Sequence, residues 1–83
     1  MKLSFTFEWL AIFEGLDASV KKQILGKLKE VGRAASWPHE ALKGKQFKGL
    51  YKLRIGNYRL IYRLLDGSIM DFLYLGHRSE IYN

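Results

Sequence analysis

Four basic residues sit at spacings that put them side by side on a sheet: Lys52 and Arg54 in one stretch, Arg59 and Arg63 in the next. Between the stretches lies Gly56-Asn57, a dipeptide that closes a two-residue hairpin loop. A loop of that length fixes the pairing. Ile55 then faces Tyr58, Arg54 faces Arg59, Leu53 faces Leu60 and Lys52 faces Ile61. Side chains alternate between the two sides of a sheet, so Lys52, Arg54, Arg59, Ile61 and Arg63 share one face. Tyr51, Leu53, Ile55, Tyr58, Leu60, Tyr62 and Leu64 share the other. Like charges directly opposed on neighbouring strands destabilise a sheet. A bound phosphate removes that penalty, so the Arg54–Arg59 pair points to a polyanionic ligand.

A second two-residue loop at Asp66-Gly67 extends the pattern. It predicts Arg59 facing Tyr74, Ile61 facing Phe72 and Arg63 facing Met70. Phe72 and Tyr74 are thereby expected beside the cations, where aromatic rings can stack on the bases of single-stranded RNA. Other chemistries find little support. The sequence contains no cysteine, which excludes disulfides and thiolate metal sites. It has no phosphate-binding glycine loop, no helical pair of metal-binding histidines and no serine nucleophile motif. His39, beside Pro38, is expected in an exposed loop, and His77 closes the last strand. The acidic residues of the second half are too scattered to suggest a metal site, so neither metal nor cofactor is expected. Any catalysis must run on arginine, lysine, tyrosine and His77.

These side chains need a scaffold. Leu3-Ser4-Phe5-Thr6-Phe7 alternates as a half-buried strand does. Trp9, Leu10, Phe13 and Leu16 follow at helical spacing, and Gly15 breaks that helix. Asp17 is a good N-cap for a longer helix with Val20, Ile24, Leu28 and Val31 on its apolar side and Gly32 as its stop. Its lysines, Lys21, Lys22, Lys27 and Lys29, are expected to form a solvated face. Residues 34–46 read as irregular, punctuated by Trp37-Pro38 and Gly44. Strands are predicted over Leu50–Ile55, Tyr58–Leu65 and Ile69–Leu75, joined as a meander. The expected fold is α+β: an antiparallel four-stranded sheet with an N-terminal helical hairpin packed on one face.

Length and composition agree. At 83 residues, with 48% hydrophobic and 27% charged, the sequence predicts one globular domain over 1–83. No stretch approaches the roughly 20 apolar residues of a membrane span. The missing cysteines and the lack of a signal-peptide core at Met1–Phe5 lead to an expected cytoplasmic location, with no membrane partner. The formal charge is +6. Residues 1–41 carry +1 of it and residues 42–83 carry +5. The surplus therefore lies with the proposed cation face, and nucleic acid, an acidic protein or an anionic surface are its natural partners.

The run Leu50-Tyr51-Lys52-Leu53-Arg54-Ile55-Gly56-Asn57-Tyr58-Arg59-Leu60-Ile61-Tyr62, followed by Gly76-His77-Arg78-Ser79-Glu80-Ile81-Tyr82, resembles the RelE branch of the RelE/ParE toxin superfamily. Leu42-Lys43-Gly44 and the paired helices around Leu16-Asp17 extend the resemblance over nearly the whole chain. It implies a type II toxin that cuts messenger RNA in the ribosomal A site without metal. The messenger's own 2′-hydroxyl attacks the adjacent phosphate, and a cognate acidic antitoxin neutralises the toxin. By position, Lys52 and Arg59 match the residues that hold and activate the scissile phosphate. Arg78 matches the arginine that stabilises transition-state charge or protonates the leaving oxygen. Tyr82 matches the tyrosine that orients or deprotonates the nucleophile and stacks on a base. Lys45, Lys48, Arg54, Arg63, Phe72, Tyr74 and His77 complete the expected RNA-contacting set. Leu50 stands where some members carry a further lysine, and the sequence ends one residue after Tyr82. Two alternatives stay open: a ParE-like inhibitor of DNA gyrase, and a non-catalytic relative that only binds its antitoxin.

Overall fold

The computed structural model describes residues 1–81. Strand β1 (Lys2–Phe5) leads into helices α1 (Phe7–Glu14) and α2 (Ala18–Arg33). A two-residue strand β2 (Glu40–Ala41) and a single 3₁₀ turn (Lys45–Phe47) follow. Then come β3 (Tyr51–Ile55), β4 (Tyr58–Leu65), β5 (Ile69–His77) and a short helix α3 (Arg78–Ile81). The strands form one sheet in the order β1-β5-β4-β3-β2.

The α+β class and the helical layer on one face hold, with two corrections to the sheet. It has five strands, because Glu40–Ala41 pairs with Tyr51–Lys52. It is also mixed, because β1 lies parallel to β5 from Lys2↔Ile69 to Phe5↔Phe72. An alternating pattern reveals a strand but not its direction, and a strand of two residues is too short to alternate.

Local chemistry explains the element boundaries. The first strand stops at Phe5 because Thr6 is the N-cap of α1. Its Oγ1 accepts from the Trp9 N–H at 3.2 Å. Phe7 becomes the first helical residue and stands 92% exposed. Gly15 closes α1, its N–H donating to the Ile12 carbonyl at 3.1 Å. Asp17 caps α2, with Oδ1 accepting from the Val20 N–H at 3.0 Å. That helix runs one residue past Gly32, to Arg33.

Trp9 and Phe13 of α1 and Ile24, Leu28 and Val31 of α2 pack on Leu53, Ile55, Leu60, Tyr62, Met70, Phe72 and Leu75 of the sheet. Each such side chain contributes about 1.5–3 kcal/mol on burial. His39 does not lie in the open as its sequence context suggested. It is half-buried over the rings of Tyr51 and Tyr62, with Nδ1 2.8 Å from the Tyr62 hydroxyl. Burial, chiefly, pushes the Tyr62 phenol up to about 12.

The first hairpin has the expected register, Arg54↔Arg59 and Lys52↔Ile61 included. Gly56, at φ 56°, takes the positive-φ position of its loop. The second hairpin differs. Its loop has three residues, with Asp66 at φ 51° and Gly67 at φ 73°, and the Ser68 N–H donates to the Leu65 carbonyl. The pairing is therefore Leu65↔Ile69 and Arg63↔Asp71. A bulge then inserts Leu73 between Tyr62↔Phe72 and Ile61↔Tyr74. Thr6 meets the bulged strand: its N–H donates to the Phe72 carbonyl at 3.0 Å and its Oγ1 to the Leu73 carbonyl at 3.3 Å.

Candidate nucleic-acid interface

The face opposite the helices carries Lys52, Arg54, Arg59, Ile61, Arg63 and Tyr74, as the registers of β3, β4 and β5 dictate. The cations are not bare. Arg54 makes a fork with Glu40 of β2, its Nε donating to Oε1 at 3.1 Å and its Nη2 donating to Oε2. Lys52 Nζ lies 3.5 Å from the same Oε2. The Arg54 hydrogen bonds, with help from the Lys52 charge, hold the Glu40 carboxyl below its ordinary value. The strain expected between Arg54 and Arg59 is thus eased from within.

Arg59 is only 9% exposed. Its Nη1 donates back into the first hairpin, to the Gly56 carbonyl at 3.0 Å and the Tyr58 carbonyl at 2.9 Å. Its Nε is buried with no hydrogen-bond partner among the described residues, a group that costs free energy until something accepts from it. Directly opposite Arg59 stands Gly76, which has no side chain to crowd the guanidinium. The Asn57 carbonyl of the same turn accepts from the Arg78 N–H at 2.7 Å. The exposed Arg78, first residue of α3, is thereby tied to the hairpin end that holds Arg59.

Three expected RNA contacts look different in the fold. Phe72 is a correction: the longer loop and the bulge turn it to the helical side, where it is fully buried beside Tyr62 and Phe5. Tyr74 keeps its place on the cation face, opposite Ile61 instead of Arg59. Arg63 is on the face and bonded to Asp71, Nε to Oδ2 at 3.0 Å. His77 pairs with Tyr58 in the core-side register, and its Nδ1 accepts from the Ser79 N–H at 3.2 Å. Lys45 and Lys48 are exposed in and after the 3₁₀ turn that leads to β3. Tyr82 lies outside the described residues.

Sequence reasoning missed Glu40 and Asp71. Glu40 reaches the cluster through a strand of two residues, so no periodicity announces it. Asp71 could have been found by allowing a three-residue second loop. Among the described residues, no group of three or more acidic, histidine or cysteine side chains is arranged to hold a metal ion. No helix among them is long and apolar enough to cross a membrane.

The family model for the ParE toxin of the type II toxin–antitoxin system matches residues 4–82. The chain belongs to that family. It is therefore a type II toxin of the RelE/ParE superfamily, and similar solved structures carry the RelE name. The isolated RelE toxin of E. coli is 28% identical over 98% of this chain and 89% of its own, with a TM-score of 0.71. The toxin–antitoxin complex RelBE2 of Mycobacterium tuberculosis is 21% identical over 94% and 91%, with a TM-score of 0.74. The intact E. coli RelBE complex is 26% identical over 92% and 94%, with a TM-score of 0.68. The search of curated proteins finds no match.

Proposed function

We propose that this toxin is an endoribonuclease that cuts messenger RNA in the ribosomal A site and so stops translation. The observation that carries the proposal is the gathering of Lys52, Arg54, Arg59 and Arg78 around one face and one turn. In the reaction, the 2′-hydroxyl oxygen attacks the neighbouring phosphorus and the bond to the 5′-oxygen breaks. A cyclic phosphate and a free 5′-hydroxyl result, the 5′-oxygen taking up one proton for the one that the 2′-hydroxyl gives up. Negative charge builds on the phosphorane oxygens, and fixed cations stabilise that charge more than the ground state. Arg59 and Lys52 hold the phosphate, and the Arg59 Nε, buried and without a partner among the described residues, supplies a further donor once the oxyanion reaches it. Arg78 serves the leaving group. Its guanidinium stabilises the negative charge that develops there. Tyr82 orients the nucleophile and stacks on a base, and exposed Tyr74 offers a second stacking surface.

A cognate acidic antitoxin belongs to the same proposal. RelE toxins of similar fold crystallise with RelB antitoxins. Here the outer side of α2 presents Lys21, Lys22 and Lys29 around Leu25, which is 45% exposed. An amphipathic acidic helix suits such a surface.

Mapping messenger ends in a translating extract tests the activity. Wild type is expected to cut within codons at the A site, while Arg59→Ala and Arg78→Ala leave the messenger whole. Uncut messenger with folded wild-type protein refutes the proposal. The ParE family match favours a second reading, inhibition of DNA gyrase. A supercoiling assay at low protein concentration separates the two.

A further inference from the structure

Glu40 is placed where a phosphate would make its contacts. A guanidinium binds carboxylate and phosphate with the same two-pronged geometry, and both Glu40 oxygens engage Arg54 in that way. One of them also faces Lys52 at 3.5 Å. The residue sits on β2, at the rim of the sheet, paired in register with Lys52 itself. Its side chain is 44% exposed, so the carboxylate can turn out to water, while the Lys52 side chain, 12% exposed, stays behind to meet the phosphate. An incoming phosphate must therefore displace this carboxylate or share the cations with it, and it meets a negative charge as it does so.

We propose that Glu40 is a built-in competitor for the polyanion: it holds the Arg54 fork and the Lys52 ammonium in the free protein and limits how tightly the cation face grips RNA. The inference deepens the ribonuclease reading by naming a residue that sets specificity. RNA with only its backbone charge to offer pays the displacement in full. RNA already presented in a fixed pose has further contacts to offset it. Glu40 thus discriminates against free RNA, an element of selectivity built by repulsion.

The test is binding of a labelled oligouridylate of about ten nucleotides, a length within the usual single-strand site size, followed by fluorescence anisotropy as a function of salt. Each added phosphate contact to a single strand steepens the logarithmic salt dependence by about 0.7. Glu40→Gln is expected to steepen the slope by up to that amount. The same exponent converts to up to about eightfold tighter binding near 50 mM salt and under about twofold near 500 mM. Glu8→Gln, which adds the same charge on α1, is expected to change binding far less. Circular dichroism checks that each variant is folded. Binding by Glu40→Gln that is unchanged or weaker overturns the inference, and so does an equal gain from Glu8→Gln. Heparin serves as a second probe. If no protein binds the oligouridylate and Glu40→Gln still gains on heparin, the role of Glu40 in selecting against free RNA falls and its competition with polyanions stands. If the heparin gain is also missing, the competitor role falls. Cleavage in the translating extract reports separately on the ribonuclease reading.

Discussion

Thr6 concentrates more structure in one hydroxyl than any other residue described. Its Oγ1 accepts from Trp9 N–H at the start of α1 and donates to the Leu73 carbonyl at the bulge of β5. Thr6→Val keeps the shape and removes both bonds. Loss of an N-cap costs about 1 kcal/mol. Loss of the donor to a part-buried carbonyl adds about 0.5–1.5 kcal/mol. The sum is about 2 kcal/mol, and a domain of this size loses about 4–8 °C in Tm per kcal/mol. Thermal unfolding followed by circular dichroism should therefore show a fall of about 8–16 °C. Thr6→Ser keeps the hydroxyl and should stay within about 0.5 kcal/mol of wild type, as cap rankings indicate. The reasoning is refuted if Thr6→Val melts with wild type, or if Thr6→Ser loses as much as Thr6→Val.

Other outcomes follow from the titrating groups and from Arg59. The Glu40 carboxyl is held below its ordinary 4.5, so its bonds add stability above that value, lost as pH falls through the lower folded one. Wild type should melt above Glu40→Gln at neutral pH, and the two curves should meet in acid; a constant gap down to low pH would count against the fork. The Tyr62 phenol is raised from 10.0 to about 12, so its stabilising effect is whole below pH 10 and fades as pH rises toward 12. Tyr62→Phe should remove that alkaline loss, and an unchanged alkaline profile would show that the phenol titrates elsewhere. Arg59→Lys keeps the charge but loses the planar donor array that bonds the Gly56 and Tyr58 carbonyls. It is expected to bind RNA with an unchanged salt slope and to fail in cleavage, and wild-type cleavage by this variant would remove the guanidinium from the mechanism.

The first hairpin was legible because Gly56-Asn57 permits few loops, and a fixed loop fixes every pair along β3 and β4. That placed Lys52, Arg54 and Arg59 on one face from residue types alone. The core side was equally plain, since Leu53, Leu60 and Tyr62 alternate with the cations. The second hairpin was not. Asp66-Gly67-Ser68 closes as three residues because Asp66, one of the few side chains that tolerate positive φ, joins the loop. One added residue moves each partner by a step, and the Leu73 bulge moves them again. Phe72 changed sides as a result, while Tyr74 was returned to the cation face by the second shift. Glu40 lay beyond sequence reasoning for another reason. Its role depends on where a loop comes to rest, and only the folded sheet brings that loop to Arg54.

The turn at Gly56-Asn57-Tyr58 has all three carbonyls engaged, two by Arg59 and one by the backbone of Arg78. Two arginines distant in sequence thus hang from a single bracket. Their backbones are joined through three consecutive peptide units, and from the helical layer Gln23 of α2 comes close to the turn at Gly56. The outer side of α2, with Lys22, Leu25 and Lys29, can then be altered to suit a new protein partner while Gln23 and the turn keep their places, which lets inhibition and chemistry diverge on one small scaffold.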